Sequence, residues 1–142
     1  MGIIKFTASN FEGNCDVDED FAPLLTKMNE VAIKHGITVV VTSSLRADTN
    51  VKGAIVTPAI MSNHLVGHAI DCNLKKGTEY FNSVKMNDRT GADNDFINEC
   101  KSFIKWGGEF HKNDPVHFDD RLNQTNPDLW KSKYDMLHNK IV

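Results

Sequence analysis

The sequence predicts a single α+β domain in which helices flank an antiparallel sheet. Three observations predict this class. The length of 142 residues suits one hydrophobic core, and the composition, 40% hydrophobic and 25% charged, is ordinary for a globular chain. Segments with helical and strand patterns also follow one another, with short turns, in the order α, β, β, α, β, β, α. We therefore expect residues 1–142 to form one domain.

The first half of the chain contains one helix and one strand by pattern. A helix is predicted from about residue 18 to 35, because apolar residues recur there at three- and four-residue steps. Gly36 is suited to end it. Residues 37–41 form a β-branched run and predict a buried strand. The pattern from 47 to 63 is weak, so we expect a loop with at most one short helix.

The second half begins with a strand predicted over residues 68–74. Residues 75–95 are polar with two glycines, and predict a long surface excursion of the kind that often forms a functional lid. A second helix is predicted from about 95 to 105, with its apolar residues on one face. Residues 106–110 and 115–119 then predict two strands joined by a short turn.

The last predicted element is a C-terminal helix over about residues 126–140. Asn126 is a good cap and Pro127 a good first-turn residue, and an apolar stripe follows them.

Charge and cysteine content exclude several classes of protein. The net charge is −3 with no Lys/Arg cluster, which argues against a nucleic-acid partner. No apolar run is long enough for a signal peptide or a membrane span, so we expect no membrane insertion and synthesis in the cytoplasm. Three widely spaced cysteines, without a CxxC pair, predict reduced thiols. A monomer is the default for such a small domain.

The first chemical motif lies between Ser62 and Asp71. His64 stands seven residues before Asp71, with Gly67 between them to allow close approach of the backbone. Asp71 lies within the predicted strand and shares a face with the small Ala69. One such His–Asp pair is also compatible with an ordinary hydrogen bond.

The second motif places Asp114 three residues before His117, followed by Asp119 on the same strand face. Taken alone, His117 is equally compatible with a buried core histidine whose hydrogen bonds are satisfied. Together with His64 and Asp71, however, it completes a three-ligand set for a catalytic zinc, with the fourth position left to water. A spare carboxylate can carry the proton that such a water releases. The residues therefore predict a metal-dependent hydrolase.

Three further residues are weighed for the site. His68 forms an HxxxH pattern with His64, but that spacing suits zinc on a helix, and Gly67 argues against a helix here. We expect His68 to line the cleft instead. His111 precedes His117 by six residues, close enough to reach the site. Arg46 follows a buried strand, and is either a surface ion-pair residue or a guanidinium facing an anion in the cleft.

These motifs resemble the zinc peptidoglycan peptidases, the family of D-alanyl-D-alanine carboxypeptidases and L-alanyl-D-glutamate endopeptidases. The pattern Ser-x-His-x-x-Gly-x-Ala-x-Asp is matched from Ser62 to Asp71. The Trp-Gly-Gly-x-aromatic strand is matched at 106–110. A carboxylate three residues before His-Phe-acid is matched by Asp114 and 117–119, and an arginine after a Ser-rich strand end by Arg46. The resemblance covers about residues 20–120 and implies a small α+β domain whose antiparallel sheet carries the zinc.

The resemblance also implies roles for individual residues. Zinc would be held by His64, Asp71 and His117, with Asp114 as the base and Arg46 near the substrate carbonyl or carboxylate. Many relatives carry Glu at the base and after the His-Phe pair.

Because Asp is shorter, the base remains open between Asp114 and Asp119, and we favour Asp114. Ser62 is expected to support the ligand loop, and Ser62, Arg46 and His68 to contact the substrate.

The implied activity is direct attack of zinc-activated water on a peptide bond in the stem peptide of bacterial peptidoglycan. We favour an L-alanyl-D-glutamate endopeptidase of the endolysin kind, because a chain without a signal peptide suits a lytic enzyme that reaches the cell wall by release or delivery. A D-alanyl-D-alanine carboxypeptidase is the alternative. Two readings from other classes stay open: a zinc-binding module without catalysis, as Hedgehog domains illustrate, and a metal-free hydrogen-bond network.

Overall fold

The computed structural model describes residues 2–46 and 61–138, and it has the predicted α+β class. Its strands are β1 (Ile3–Lys5), β2 (Phe11–Glu12), β3 (Asp16–Asp18), β4 (Thr38–Ser43), β5 (Ala69–Lys76), β6 (Glu79–Phe81), β7 (Lys105–Trp106) and β8 (His117–Asp119). Its helices are α1 (Ala22–His35), α2 (Ser83–Asp88), α3 (Ala92–Cys100), α4 (Leu122–Thr125) and α5 (Pro127–His138).

The main sheet is mostly antiparallel and is built around β5. Its strand order is β2-β4-β5-β8-β7, and β6 pairs with the C-terminal half of β5 while β8 pairs with its N-terminal half. Only the short β2 runs parallel to its neighbour among the described strands. β1 and β3 form a separate two-stranded ribbon. The eight-residue β5 is therefore the central strand of the sheet, paired with β4, β6 and β8.

Helix α1 begins later than the predicted residue 18, because Asp16–Asp18 pair with β1 as a strand. Pro23 sits in its first turn, and Gly36 ends it in the left-handed region with φ 67°. α1 and α3 cover one face of the sheet. Alternation along β5 turns Ile70, Cys72 and Leu74 into that core and leaves Asp71 on the opposite face.

Most of residues 75–95 lie at the surface, as predicted, but the prediction of a long irregular excursion is wrong. β5 extends to Lys76 and turns into β6, whose Phe81 is buried in the core. Asn82 then caps α2 by accepting a hydrogen bond from the Lys85 amide at 3.1 Å, and Met86 of α2 is also buried. The buried side chains of Phe81 and Met86 and the Asn82 cap therefore stabilise regular structure in this polar stretch.

Boundaries shift elsewhere too. The helix predicted over 95–105 runs over Ala92–Cys100, because β7 pairs with β8. The strand predicted over 106–110 becomes a 3₁₀ turn at Gly107–Glu109. The C-terminal helix is confirmed over Pro127–His138. Residues 63–66 form a 3₁₀ turn, whereas the predicted loop over 47–60 and helix residues 139–140 lie outside the described residues.

A second, smaller core joins α5 to the 3₁₀ turn at Asn63–Val66. Trp130 is fully buried there against Met61, Leu65, Val66 and Leu122, and its indole nitrogen donates a hydrogen bond to the Ser62 carbonyl at 3.1 Å. The C-terminal helix therefore supports the loop in which the first motif lies.

A buried charge network also connects α5 to this loop. The Lys133 ammonium, 2% exposed, contacts Asp18 Oδ2 at 2.5 Å and Asp20 Oδ2 at 2.7 Å. The same Asp18 oxygen bonds His68 Nε2 at 2.6 Å, and His68 Nδ1 bonds Asp120 Oδ2 at 2.7 Å. Burial alone would lower the pKa of Lys133, but the two carboxylates outweigh it and raise that pKa. Lys133, Asp18 and His68 are therefore buried groups with their partners in place, while Asp20 and Asp120 form the more exposed ends of the network.

We expect Lys133→Met to lower the free energy of unfolding by about 3 kcal/mol, because it keeps the apolar stem but leaves Asp18 as an under-compensated buried charge. Lys131→Met, on an exposed position of the same helix, should change it by less than about 0.5 kcal/mol. Urea denaturation of the three proteins measures the difference. Equal stability of Lys133→Met and the wild type would show that the network does not stabilise the fold.

Candidate metal centre

Strand register brings Asp71 and His117 together. β5 and β8 are antiparallel, and Asp71 lies directly opposite His117, with Ile70 opposite Phe118 and Ala69 opposite Asp119. Directly opposed residues project from the same face of a sheet with neighbouring Cβ atoms. Because Ile70 and Phe118 are both fully buried in the core, Asp71 and His117 project to the other side.

The 3₁₀ turn at Asn63–Val66 supplies His64. Ser62 caps this turn, its hydroxyl accepting a hydrogen bond from the His64 amide at 3.2 Å, as expected for a residue that supports the ligand loop. Gly67 ends the turn with φ 75°. A Cβ there would lie 2.6 Å from the backbone nitrogen of Asp18, so glycine is required for close packing of the loop on β3.

The three side chains converge on one oxygen. His64 Nε2 lies 3.1 Å and His117 Nδ1 lies 3.3 Å from Asp71 Oδ1, and the two imidazole rings are 5.1 Å apart. One potential ligand atom from each residue falls within 4.8 Å of the others. Among the described residues this is the one such group of three or more His, Cys, Asp or Glu side chains.

Both histidines are oriented by a second hydrogen bond. His64 Nδ1 donates a hydrogen bond to the Ser44 carbonyl at 2.8 Å, which turns Nε2 towards Asp71. His117 Nε2 contacts Asp119 Oδ2 at 2.6 Å, which leaves Nδ1 facing Asp71. Carbonyl and carboxylate partners of this kind fix metal-binding histidines in many proteins. The donor set of two imidazoles and one carboxylate therefore fits a transition metal such as Zn²⁺.

Charges at the cluster already favour a cation. Burial raises the pKa of Asp71, but His117 and His64 outweigh that effect and hold it well below its usual range. Burial would lower the pKa of His117, yet Asp119 and Asp71 raise it to about 9. In the metal-free protein at neutral pH, His117 is thus an imidazolium between two carboxylates, and its extra proton occupies a potential ligand nitrogen.

Arg46 lies next to this cluster. Its guanidinium contacts Asp71 Oδ2 at 3.4 Å and the Ser43 hydroxyl at 3.3 Å, and its side chain is 46% exposed. Its backbone amide donates to the His64 carbonyl at 2.9 Å. The structure thus places Arg46 at the rim of the cluster, with its cationic end open to solvent.

The two candidate bases differ in their surroundings. Asp119 is 5% exposed, and both of its oxygens are engaged, Oδ2 with His117 and Oδ1 with the Arg121 amide at 2.7 Å. Asp114 is exposed, and its carbonyl accepts a hydrogen bond from the His117 amide at 3.0 Å, which closes the turn before β8. Asp119 is therefore held as a partner of His117, while the carboxylate of Asp114 remains accessible.

The prediction that His68 lines the cleft is wrong, while its predicted contact with a substrate stays a prediction. Its side chain is 3% exposed, and each ring nitrogen is bonded to a carboxylate, Asp18 or Asp120. Two hydrogen bonds to acids leave no nitrogen for a ligand, so the residue joins β3 to the end of β8. No local sequence pattern indicates these contacts, because Asp18 and Asp120 are 50 and 52 residues away from His68.

A cleft of about 530 Å³ opens beside His117. Its lining includes Ser62 and His111, so these two predicted residues do face the cleft. Lys105, Lys112 and Arg121 also line it, together with the acids Glu109 and Asp119, so its wall carries charges of both signs. The cleft is the space in which a ligand can approach the cluster.

Comparisons with known proteins bear on these motifs. A family profile described as D-alanyl-D-alanine carboxypeptidase matches residues 56–120, which include the three clustered residues and Asp114. The resemblance to the zinc peptidoglycan peptidases is confirmed. Among solved structures, the chain is similar to the L-Ala D-Glu endopeptidase ChiX of Serratia marcescens, at 20% sequence identity and a TM-score of 0.43, over 75% of this chain and 82% of that one. No curated protein matches significantly. None of the described helices could cross a membrane.

We expect binding of Zn²⁺ to release about one proton per site at pH 7, because His117 has a pKa of about 9 in the metal-free protein and its Nδ1 must lose a proton to bind a metal. The share of this release that comes from His117 should fall as the pH rises above about 9. Calorimetric titration in two buffers of different protonation enthalpy measures this number. Heats that do not depend on the buffer at pH 7 would contradict the prediction.

Proposed function

We propose that the chain is a zinc-dependent peptidase that hydrolyses the stem peptide of bacterial peptidoglycan, as a monomer. The observation that carries the proposal is the convergence of His64, Asp71 and His117 on one point, with both imidazoles oriented from behind. The match to the carboxypeptidase family supports the substrate class.

His64 Nε2, Asp71 and His117 Nδ1 would hold the ion. When bound, Zn²⁺ supplies a Lewis acid and lowers the pKa of water towards about 7. Asp119 and the Ser44 carbonyl keep the two imidazoles in the ligand tautomers. Because their partners are backbone or buried groups, the site is organised before substrate arrives.

Asp114 is the proposed general base. Its exposed carboxylate accepts the proton of the attacking water and returns it to the leaving amine, whereas Asp119 is already engaged at both oxygens. The hydrogen bond from the His117 amide to the Asp114 carbonyl closes the turn between them and keeps the backbone of Asp114 close to the ligand His117. This geometry supports the choice that spacing alone left open.

Arg46 is proposed to face the substrate. Its exposed guanidinium beside Asp71 can turn to a carbonyl oxygen on which negative charge develops, or to a substrate carboxylate. Ser62 is proposed to hold the turn that carries His64, through its hydroxyl cap, and to contact the substrate from the cleft wall.

The cleft supports an acidic peptide as substrate. Lys112 and Arg121 in its wall can pair with the carboxylates that stem peptides carry, while of the two acids in the wall Asp119 is engaged at both oxygens and Glu109 lies 3.9 Å from Lys105. A volume of about 530 Å³ accepts a ligand larger than a terminal dipeptide, and we therefore propose an L-alanyl-D-glutamate endopeptidase. A D-alanyl-D-alanine carboxypeptidase is the second candidate, because that activity describes the matching family.

We expect Asp114→Ala to lower turnover by about 10²–10⁴-fold, the usual contribution of a general base, while zinc content stays near one per chain. His64→Ala should lose the metal as well as activity. Asp128→Ala, which removes an exposed carboxylate from α5, is the control and should match the wild type. A fully active Asp114→Ala beside an inactive Asp119→Ala with normal zinc content would assign the base to Asp119.

Digestion of purified sacculi tests the function itself. The zinc-loaded protein should create new amino termini in the stem peptide and no new reducing sugar ends, because a zinc-activated water is suited to attack an amide carbonyl. Mass spectrometry of the muropeptides identifies the bond. Free D-alanine as the sole product would select the carboxypeptidase, and intact sacculi with a zinc-loaded protein would favour a binding module.

A further inference from the structure

Asn123, in the short helix α4, is bonded to the segment that leads into the His64 turn. Its side-chain nitrogen donates to the Met61 carbonyl at 2.7 Å, and its backbone amide donates to Asn63 Oδ1 at 3.0 Å. Asn63 Nδ2 in turn donates to Asn123 Oδ1 at 3.2 Å. One asparagine thus holds the residues on both sides of Ser62, the residue that caps the turn.

The partners of the two side-chain amides fix their orientation. The Met61 carbonyl can only accept a hydrogen bond, so the nitrogen of the Asn123 side chain must face it. The Asn123 backbone N–H can only donate, so the oxygen of Asn63 must face it. Asn63 is 2% exposed, and loss of the Asn123 oxygen would leave its N–H group buried without this partner. The pair is therefore a specific lock between α4 and the turn.

His64 needs such support because it lies outside the sheet. Strand register places Asp71 opposite His117, whereas His64 is carried by a 3₁₀ turn of four residues. The hydrogen-bond geometry within a 3₁₀ turn is poorer than in an α-helix or a sheet, so the turn depends on contacts from outside. Two side chains from the C-terminal helices, Asn123 and Trp130, bind the backbone carbonyls just before it.

The start of α4 is tied to the other histidine of the cluster. The Arg121 amide donates to Asp119 Oδ1 at 2.7 Å, and Asp119 Oδ2 bonds His117 Nε2 at 2.6 Å. Arg121 has φ 59°, in the left-handed region that is uncommon for residues other than glycine. This bend turns the chain from β8 into α4, where Asn123 reaches the His64 turn. α4 therefore bridges the two segments that carry the imidazole ligands.

We propose that Asn123 is a positioning residue of the metal centre, which fixes His64 relative to His117 by joining the turn of one to the strand end of the other. The inference rests on the metal site of the proposed function, but not on the identity of the substrate. Groups behind the ligands hold them in the geometry that the metal requires, and their loss typically weakens metal binding by about 10–100-fold. Asn123 would act in this way through Met61 and Asn63.

Zinc affinity, measured by competition with a chromophoric chelator, tests this proposal independently of any peptidase activity. Asn123→Ala should raise the dissociation constant for Zn²⁺ by about tenfold or more, because the His64 turn loses its lock. Asn123→Asp has nearly the same shape but replaces the donor to Met61 by a carboxylate oxygen, and it should weaken Zn²⁺ binding in the same direction. In metal-free Asn123→Ala, hydrogen exchange at the His64 and Leu65 amides, which both bond Ser62, should be faster than in the wild type.

Asn82→Ala is the matched control, because it also removes an asparagine whose side chain bonds the backbone, at the cap of α2 beside β6. It should lower the melting temperature of the metal-free protein, but leave zinc affinity and exchange at His64 at their wild-type values. Wild-type zinc affinity in Asn123→Ala would overturn the inference and leave the metal site intact, as would an equal loss of affinity in Asn82→Ala. A wild type that binds no Zn²⁺ would contradict the metal site itself, and the inference with it.

Discussion

The pairing of β5 with β8 is the constraint on which the site depends. Ile70 and Phe118, opposite each other and fully buried, can enter the core in one register only. That register sets Asp71 opposite His117 on the other face of the sheet. A slip of one residue would exchange the faces, exposing the apolar pair and burying the ligands in the core. The packing of the apolar pair therefore places Asp71 beside His117 in the absence of a metal.

Much of the candidate site could be read from the sequence, because its residues lie in local patterns. The spacing of His64, Gly67 and Asp71 and the triplet at 117–119 each occupy a single turn or strand. The strands β1–β3 and β6 could not be read, since each has two or three residues and exists through pairing with distant segments. The role of His68 was equally hidden, because its partners come from β3 and from the residue that follows β8.

The fold treats its buried charges in three different ways. Lys133, Asp18 and His68 neutralise one another within a network that joins three parts of the chain. The zinc-type cluster holds an imidazolium between carboxylates, an arrangement in which a proton occupies the place of a metal. Asp93 has no neutralising partner within hydrogen-bonding reach. Buried charge is tolerated at low cost in the first case, a cation is favoured in the second, and in the third burial raises the pKa of the acid and favours its neutral form.

The three cysteines have a consequence for where such a chain can operate. Cys15, Cys72 and Cys100 are all free and buried, and burial raises their pKa, to about 12 for Cys15. Oxidants and disulfide exchange act on accessible thiolates, and these sulfurs offer neither access nor charge. The state of these three thiols in the folded protein is thus insensitive to redox potential. The same molecule can pass from a reducing to an oxidising surrounding without forming cross-links and without sulfur competing for zinc.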